Sequence, residues 1–179
     1  MFHNSLVLTM DFVITNVKIS VKIQAKPLDI VQKVLEAKNI LCKTHNNFLV
    51  AKSEYTFIIF KSKFGDGANN HINITKIPNL SFIPHVILLT ETLLECRTFQ
   101  HRIDNISATS NSPQRLNLVK LVEKKKFENI KYNNQTFPGL FLSFNTGTAI
   151  LFHSGKINIV GCKSEANLKC ILSKIFANI

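Results

Sequence analysis

The side chains that most often carry out reactions are present but not arranged for it. Cys42, Cys96, Cys162 and Cys170 stand far apart, with no CxxC pair and no histidine at zinc-finger spacing, and the chain has no HExxH motif or cluster of acids. A metal site or a disulfide framework is not expected, and the cysteines read as small buried apolar residues in a reducing compartment. What remains is the chemistry of contact. Lys and Arg number 22 against 11 Asp and Glu, a net charge of +11 in 179 residues, which favours a polyanionic partner, nucleic acid ahead of a membrane surface. A lysine-coated solvated surface, as an AT-rich genome encodes, accounts for the same charge.

The second contact chemistry is aromatic. Residues 137–165, FPGLFLSFNTGTAILFHSGKINIVGCKSE, read as three short strands leading into a helix, with Phe137 at the head of the first strand and Phe152 at the end of the second. Asn145-Thr146-Gly147 and Ser154-Gly155-Lys156 supply the turns, glycine providing the positive φ that such turns use. A phenylalanine in an alternating strand is more often core than contact surface, so spacing alone leaves both readings open.

Upstream elements must position these residues. Phe12, Ile14, Val17, Ile19, Val21 and Ile23 follow strand periodicity; Pro27 ends that strand, and Leu28, Ile30, Val31, Val34 and Leu35 follow at helical spacing. Short strands are expected at 48–50 and 55–60, a loop at Gly65-Asp66-Gly67 with Asn69 and Asn70, and a strand at 71–77. Residues 81–95 read as a helix, with a strand over 86–89 as the alternative. Residues 99–109 alternate again, Pro113 opens a helix carrying Leu116, Leu118, Val119 and Leu121, and Ser164 caps a last helix with Leu168, Ile171, Leu172, Ile175 and Phe176 on one face. Lys124-Lys125-Lys126 reads as a solvated helix end. No apolar run is long enough to span a membrane, and residues 1–10 lack the basic and small-residue features of a signal peptide.

Landmarks recur at a nearly fixed offset: Asn16 and Asn105 are 89 apart, Pro27 and Pro113 86, Phe48 and Phe137 89, Phe60 and Phe152 92. The spacing predicts a tandem duplication of a strand, helix, three-strand, helix unit, with repeats at 1–97 and 98–179. Each unit would have one sheet face under its helices and the other open.

The phrases FPGLFLSF and AILFHSGKINIVGCKSE, with Asp104-Asn105-Ile106 upstream, resemble the TATA-box-binding protein family. That resemblance implies an α+β fold: a TBP-like saddle of two pseudo-symmetric repeats forming one curved antiparallel sheet, with helices on the convex face. It implies a non-enzymatic initiation factor, without cofactor or metal, that binds and bends AT-rich double-stranded DNA through the minor groove. Paired phenylalanines wedge between base steps and replace the lost stacking, most easily at TA steps. By match to the family, Phe137 and Phe152 are the wedge of the second repeat, and Phe48 and Phe60 that of the first. Asn16 and Asn105 donate to the acceptor-only A·T groove edge. Val17, Ile106, Ile157 and Ile159 form an apolar floor, and Lys156 reaches a phosphate. The implied partners are a transcription factor IIB-like protein and the RNA polymerase machinery, in the nucleus or, for a viral factor, the host nucleus or viral transcription site, with no membrane.

Departures accompany the matches. The first repeat has no FPG and no strand end like Gly161-Cys162-Lys163-Ser164-Glu165, and it inserts residues 64–70 where the family has a tight turn. Lys18 and Asn158 fall where the family places small apolar residues, 131–136 carries no acid, and the 81–95 helix is apolar rather than basic. These changes keep a second reading in view: a protein-interaction module that retains the saddle, has lost intercalation and binds other transcription or replication proteins.

Overall fold

The computed structural model describes residues 11–61 and 69–179. The reading of residues 1–10, and that of the Gly65-Asp66-Gly67 loop, lie outside the described residues, while Asn69 and Asn70, read with that loop, instead begin a strand. The chain divides into two compact units, one of residues 15–106 and one of residues 107–179 with 11–14. The division falls within two long strands, β1 (Phe12–Gln24) and β6 (Thr98–Asn111).

In the unit of residues 15–106, β1 is followed by α1 (Leu28–Ala37), β2 (Leu41–Thr44), β3 (Phe48–Lys52), β4 (Thr56–Phe60), β5 (Asn69–Ile77) and α2 (Ile83–Leu94). The strands run antiparallel in the order β2-β3-β4-β5-β1, with β6 beyond β1. Alternation decides which side chains enter the core. Val17, Ile19, Val21 and Ile23 of β1, with Leu49, Ala51, Phe57, Ile59, Ile72 and Ile74, are buried on one side, along with Val31 and Leu35 of α1 and Val86 and Leu94 of α2. The side chains between them make the open face.

Two lysines fix the end of α2. Lys26 Nζ donates to the carbonyls of Leu94 and Glu95 at 2.8 and 2.7 Å, and Lys38 Nζ to that of Thr92 at 2.8 Å. Cations thus meet the negative end of the helix, where carbonyls lack intrahelical donors. The helix reading of 81–95 holds, beginning after a 3-10 turn at Leu80–Phe82.

In the unit of residues 107–179, the rest of β6 leads to α3 (Leu118–Glu123), β7 (Ile130–Lys131), β8 (Gly139–Phe144), β9 (Gly147–Phe152), β10 (Lys156–Cys162) and α4 (Glu165–Phe176). The order is β6-β10-β9-β8-β7. Leu140, Leu142, Ala149, Leu151, Ile157 and Ile159 share their core with Leu168, Ile171, Leu172 and Ile175 of α4. Ser164 caps that helix, accepting the Asn167 N–H at 3.2 Å.

Three expectations are corrected. Pro113 does not open a helix: Asn117 caps α3 by accepting the Lys120 N–H at 3.0 Å, while Ser112 and Leu116 donate to the carbonyls of Gly155 and His153 at 2.8 and 3.0 Å. The segment around Pro113 is therefore committed to the β9–β10 turn. Gly155 permits that approach: its φ is +96°, and a Cβ there would stand 2.9 Å from the Gln114 carbonyl oxygen. Each set of elements also has a fourth strand after its first helix, β2 and β7, which the three-strand reading lacked. Of the cysteines, Cys162 is buried, Cys42 and Cys96 are half-buried and Cys170 is exposed.

Candidate nucleic-acid interface

On the open face of the unit of residues 107–179, the register places Gly139 opposite Phe152 and Phe141 opposite Ile150. Phe137 lies two residues before β8 rather than at its head. A turn built on Asn133 sets its position: the Asn133 carbonyl accepts from the Thr136 and Phe137 N–H groups at 3.2 and 3.0 Å. From there the Phe137 ring reaches back over the strand, 6.0 Å from the Phe152 ring and 5.2 Å from Phe141, and stays 39% exposed. Gly139 makes the space, since a Cβ there would come within 2.6 Å of the Phe137 ring and 2.8 Å of Ile150. Phe141 and Gly139 escaped the sequence reading, although the FPGLF spacing puts both on one face of a strand.

The unit of residues 15–106 pairs its phenylalanines differently. Phe48 and Phe60 are direct partners across β3 and β4, with rings 5.9 Å apart. Phe48 thus holds the strand position that Gly139 holds opposite Phe152, so the offset that equated Phe48 with Phe137 is corrected by two residues. The row extends on both sides: His45 stacks on Phe48 at 4.5 Å, and Phe60 meets His71 at 6.1 Å.

The apolar floor is also corrected. Val17, Ile106, Ile157 and Ile159 have no exposed surface and belong to the core side of their strands. The periodicity identified two faces but did not say which one the helices cover. Lys156 is exposed at the start of β10, and Asn158 and Val160 share its face. The Asn158 Oδ1 is buried with no hydrogen-bond partner, a state that costs about 1–3 kcal/mol.

Asn16 and Asn105 are half-buried on the adjacent strands β1 and β6. Asn16 Oδ1 accepts the Lys76 N–H at 2.8 Å, which turns the amide's donor group away from that contact. Nearby, Asp104 is held by three groups. Its carboxylate meets Arg102 Nε at 2.9 Å and Lys18 Nζ at 3.7 Å, and accepts from the Ser20 hydroxyl. Burial pushes this carboxyl up, but the hydrogen bonds from Ser20 and Arg102, with the charges of Arg102 and Lys18, hold it below its ordinary value. This polar cluster occupies β1 and β6 where an apolar floor was expected. Alternation of Lys18 with Ser20, and of Arg102 with Asp104, is its only trace in sequence.

Among the described residues, no helix is long and apolar enough to cross a membrane, and no three His, Cys, Asp or Glu side chains are grouped to hold a metal ion.

Residues 100–179 match the family model described as transcription factor TFIID (or TATA-binding protein, TBP). A TATA-box-binding protein of Pyrobaculum neutrophilum is 39% identical over 71 residues, covering 38% of this chain and 35% of that protein. One from Pyrodictium occultum is 37% identical over 79 residues, 43% of this chain and 39% of that protein. TATA box-binding protein-like 2 of Rattus norvegicus is 28% identical over 106 residues, 56% of this chain and 30% of that protein. The matched region thus spans about a third of the length of these relatives. Among solved structures, Methanococcus jannaschii TBP superposes with a TM-score of 0.75 at 22% identity, over 94% of this chain and 97% of that one, which shows the fold expected from sequence.

Proposed function

We propose that the chain, whose residues 100–179 match the TATA-binding-protein family model, is a non-enzymatic transcription initiation factor of that family that bends AT-rich promoter DNA through the minor groove and helps recruit an RNA polymerase. One observation carries the bending: Phe137 stands partly exposed on the open face, 6.0 Å from Phe152, over a glycine that leaves room for it. Opening a base step costs a few kcal/mol, and an apolar ring must replace the stacking that is lost. Two rings held together in advance suit that task because little side-chain ordering is left to binding. Asn16, whose Oδ1 is taken by the Lys76 N–H and whose amide group can donate, suits the A·T groove edge, Asn105 joins it at the centre of the site, and Lys156 offers a phosphate contact. Phe48 and Phe60 form the second wedge. The factor acts where its polymerase does, in the nucleus of a eukaryote or at a viral transcription site, with a transcription factor IIB-like partner.

The polar cluster of Lys18, Ser20 and Asp104 favours a second reading, in which the open face binds protein rather than a groove floor. Gel-shift and bending measurements on an AT-rich duplex separate the two. Promoter binding predicts a bent complex that loses most of its bend in Phe137→Ala with Phe152→Ala. An unbent, weak complex that the double variant leaves unchanged sinks it and favours the interaction module.

A further inference from the structure

The open face of the unit of residues 15–106 contains a hollow of about 230 Å³, lined by Ser20, Lys22, His71, Gln100, His101 and Arg102. We propose that this hollow is a phosphate subsite and that it takes a backbone phosphodiester of a nucleic-acid strand. The strand assignment rests on the DNA-binding reading above; the anion chemistry does not.

The register builds the site. Lys22 of β1 is the direct partner of His71 of β5, and Arg102 enters from β6. Among the described residues Lys22 has no carboxylate partner. Arg102 meets Asp104 through its Nε at 2.9 Å, and its side chain is 73% exposed, within reach of a further acceptor. Asp104, the carboxylate beside the hollow, already receives Lys18, Arg102 and the Ser20 hydroxyl. The hollow is therefore a concavity that holds an ammonium without a carboxylate partner among the described residues and an exposed guanidinium only partly engaged by Asp104, with His71, His101 and Gln100 beside them. Like charges gathered in a concavity repel one another and focus potential outward, and an anion seated between them relieves both effects. A guanidinium edge and an ammonium are the donors that phosphate oxygens accept best.

Its position favours a strand over a free ion. Phe60 is the direct partner of His71, so the row His45, Phe48, Phe60, His71 ends at the hollow. A nucleotide whose base lies against the phenylalanines has its phosphate within reach of the donors, the combination of stacking surface and basic track that nucleic-acid grooves use.

Two measurements on the full chain test this. In the first, binding to an AT-rich duplex is followed against salt. Lys22→Gln is expected to make the plot of log K against log salt shallower by about 0.9, the share of one lost phosphate contact, with Lys22→Arg restoring it. In the second, inorganic phosphate is titrated while the imidazole NMR signals of His71 and His101 are followed. Wild-type signals should move, and those of Lys22→Gln should not. Phosphate-dependent shifts with an unchanged salt slope would assign the hollow to free phosphate and overturn the strand proposal. No shift and no change in slope would overturn the anion site altogether. Should wild type bind no duplex while phosphate still moves the imidazoles, the promoter reading and the strand assignment both fall and only a free-anion site stands.

Discussion

Gly139 shows how a residue without a side chain can shape a site made of side chains. Its absent Cβ is the space into which the Phe137 ring folds, and the nearest atoms to that space belong to Phe137 and Ile150. Gly139→Ala is therefore expected to displace the exposed Phe137 ring rather than the backbone. The stability loss should be about 1 kcal/mol, at the low end of overpacking costs because the ring can swing out. DNA bending should fall far more, and urea midpoints alongside bending angles would separate the two effects. Asp104 makes a prediction in acid. Because its carboxyl is depressed in the folded chain, its contribution is complete above the ordinary value of 3.8 and fades as pH falls through the depressed one. Asp104→Asn should thus lose stability at neutral pH and show a flatter decline below 3.8 than wild type; parallel denaturation curves would mean that the network contributes nothing. The FPG phrase singled out Phe137 and Phe152, whose rings do meet in the structure. Asp104 was not legible as the centre of a network, because Ser20 lies 84 residues away and meets it only through the pairing of β1 with β6.

Helices and strands were largely readable where one face is apolar for several turns or pleats, as in β1, α1, β5 and α4. Elements fixed by distant partners were not. Neither β2 nor β7 has a sustained alternation; each is defined by the neighbouring strand whose backbone it pairs with. The start of α3 was misplaced because Pro113 suits a first helical turn, yet the backbone before Asn117 is bound to the β9–β10 turn. The end of α2 belongs to the same class. Nothing near Glu95 announces that Lys26, 68 residues before Leu94, will supply its missing donors. Lys26→Met keeps the apolar stem and removes the ammonium. It is expected to destabilise the unit by about 1–2 kcal/mol, the range for hydrogen bonds to a charged group with part recovered by water. Chemical denaturation checks the magnitude, and hydrogen exchange at the amides near the end of α2 should rise with it. A variant as stable as wild type would show that solvent caps this helix equally well.

Across the whole molecule, the two phenylalanine pairs have similar ring separations but different construction. Phe137 and Phe152 meet at 6.0 Å because one ring folds back over a glycine from outside the strand, whereas Phe48 and Phe60 meet at 5.9 Å as direct partners inside the sheet. A ring on a turn can rise into a base step by adjusting that turn, whereas Phe48 and Phe60, the end residues of β3 and β4, are held by their pairing across the ladder and move chiefly about their own χ angles. Phe48 is also stacked by His45 and Phe60 is flanked by His71, so inserting the first pair breaks ring contacts as well as base stacking. The expected result is an asymmetric bend. Phe137→Ala with Phe152→Ala should remove most of the bending and lower affinity by a few kcal/mol, the scale of one base-step wedge. Phe48→Ala with Phe60→Ala should change the bend less and affinity by about 1–3 kcal/mol, the scale of stacking on a base without a full kink. Bending angles measured by fluorescence transfer between the ends of one duplex, for wild type, each double variant and the quadruple variant, decide the matter. Equal losses from the two pairs would mean that the sheet-anchored rings insert as deeply as the glycine-cradled pair, and that the asymmetry of construction has no counterpart in the complex.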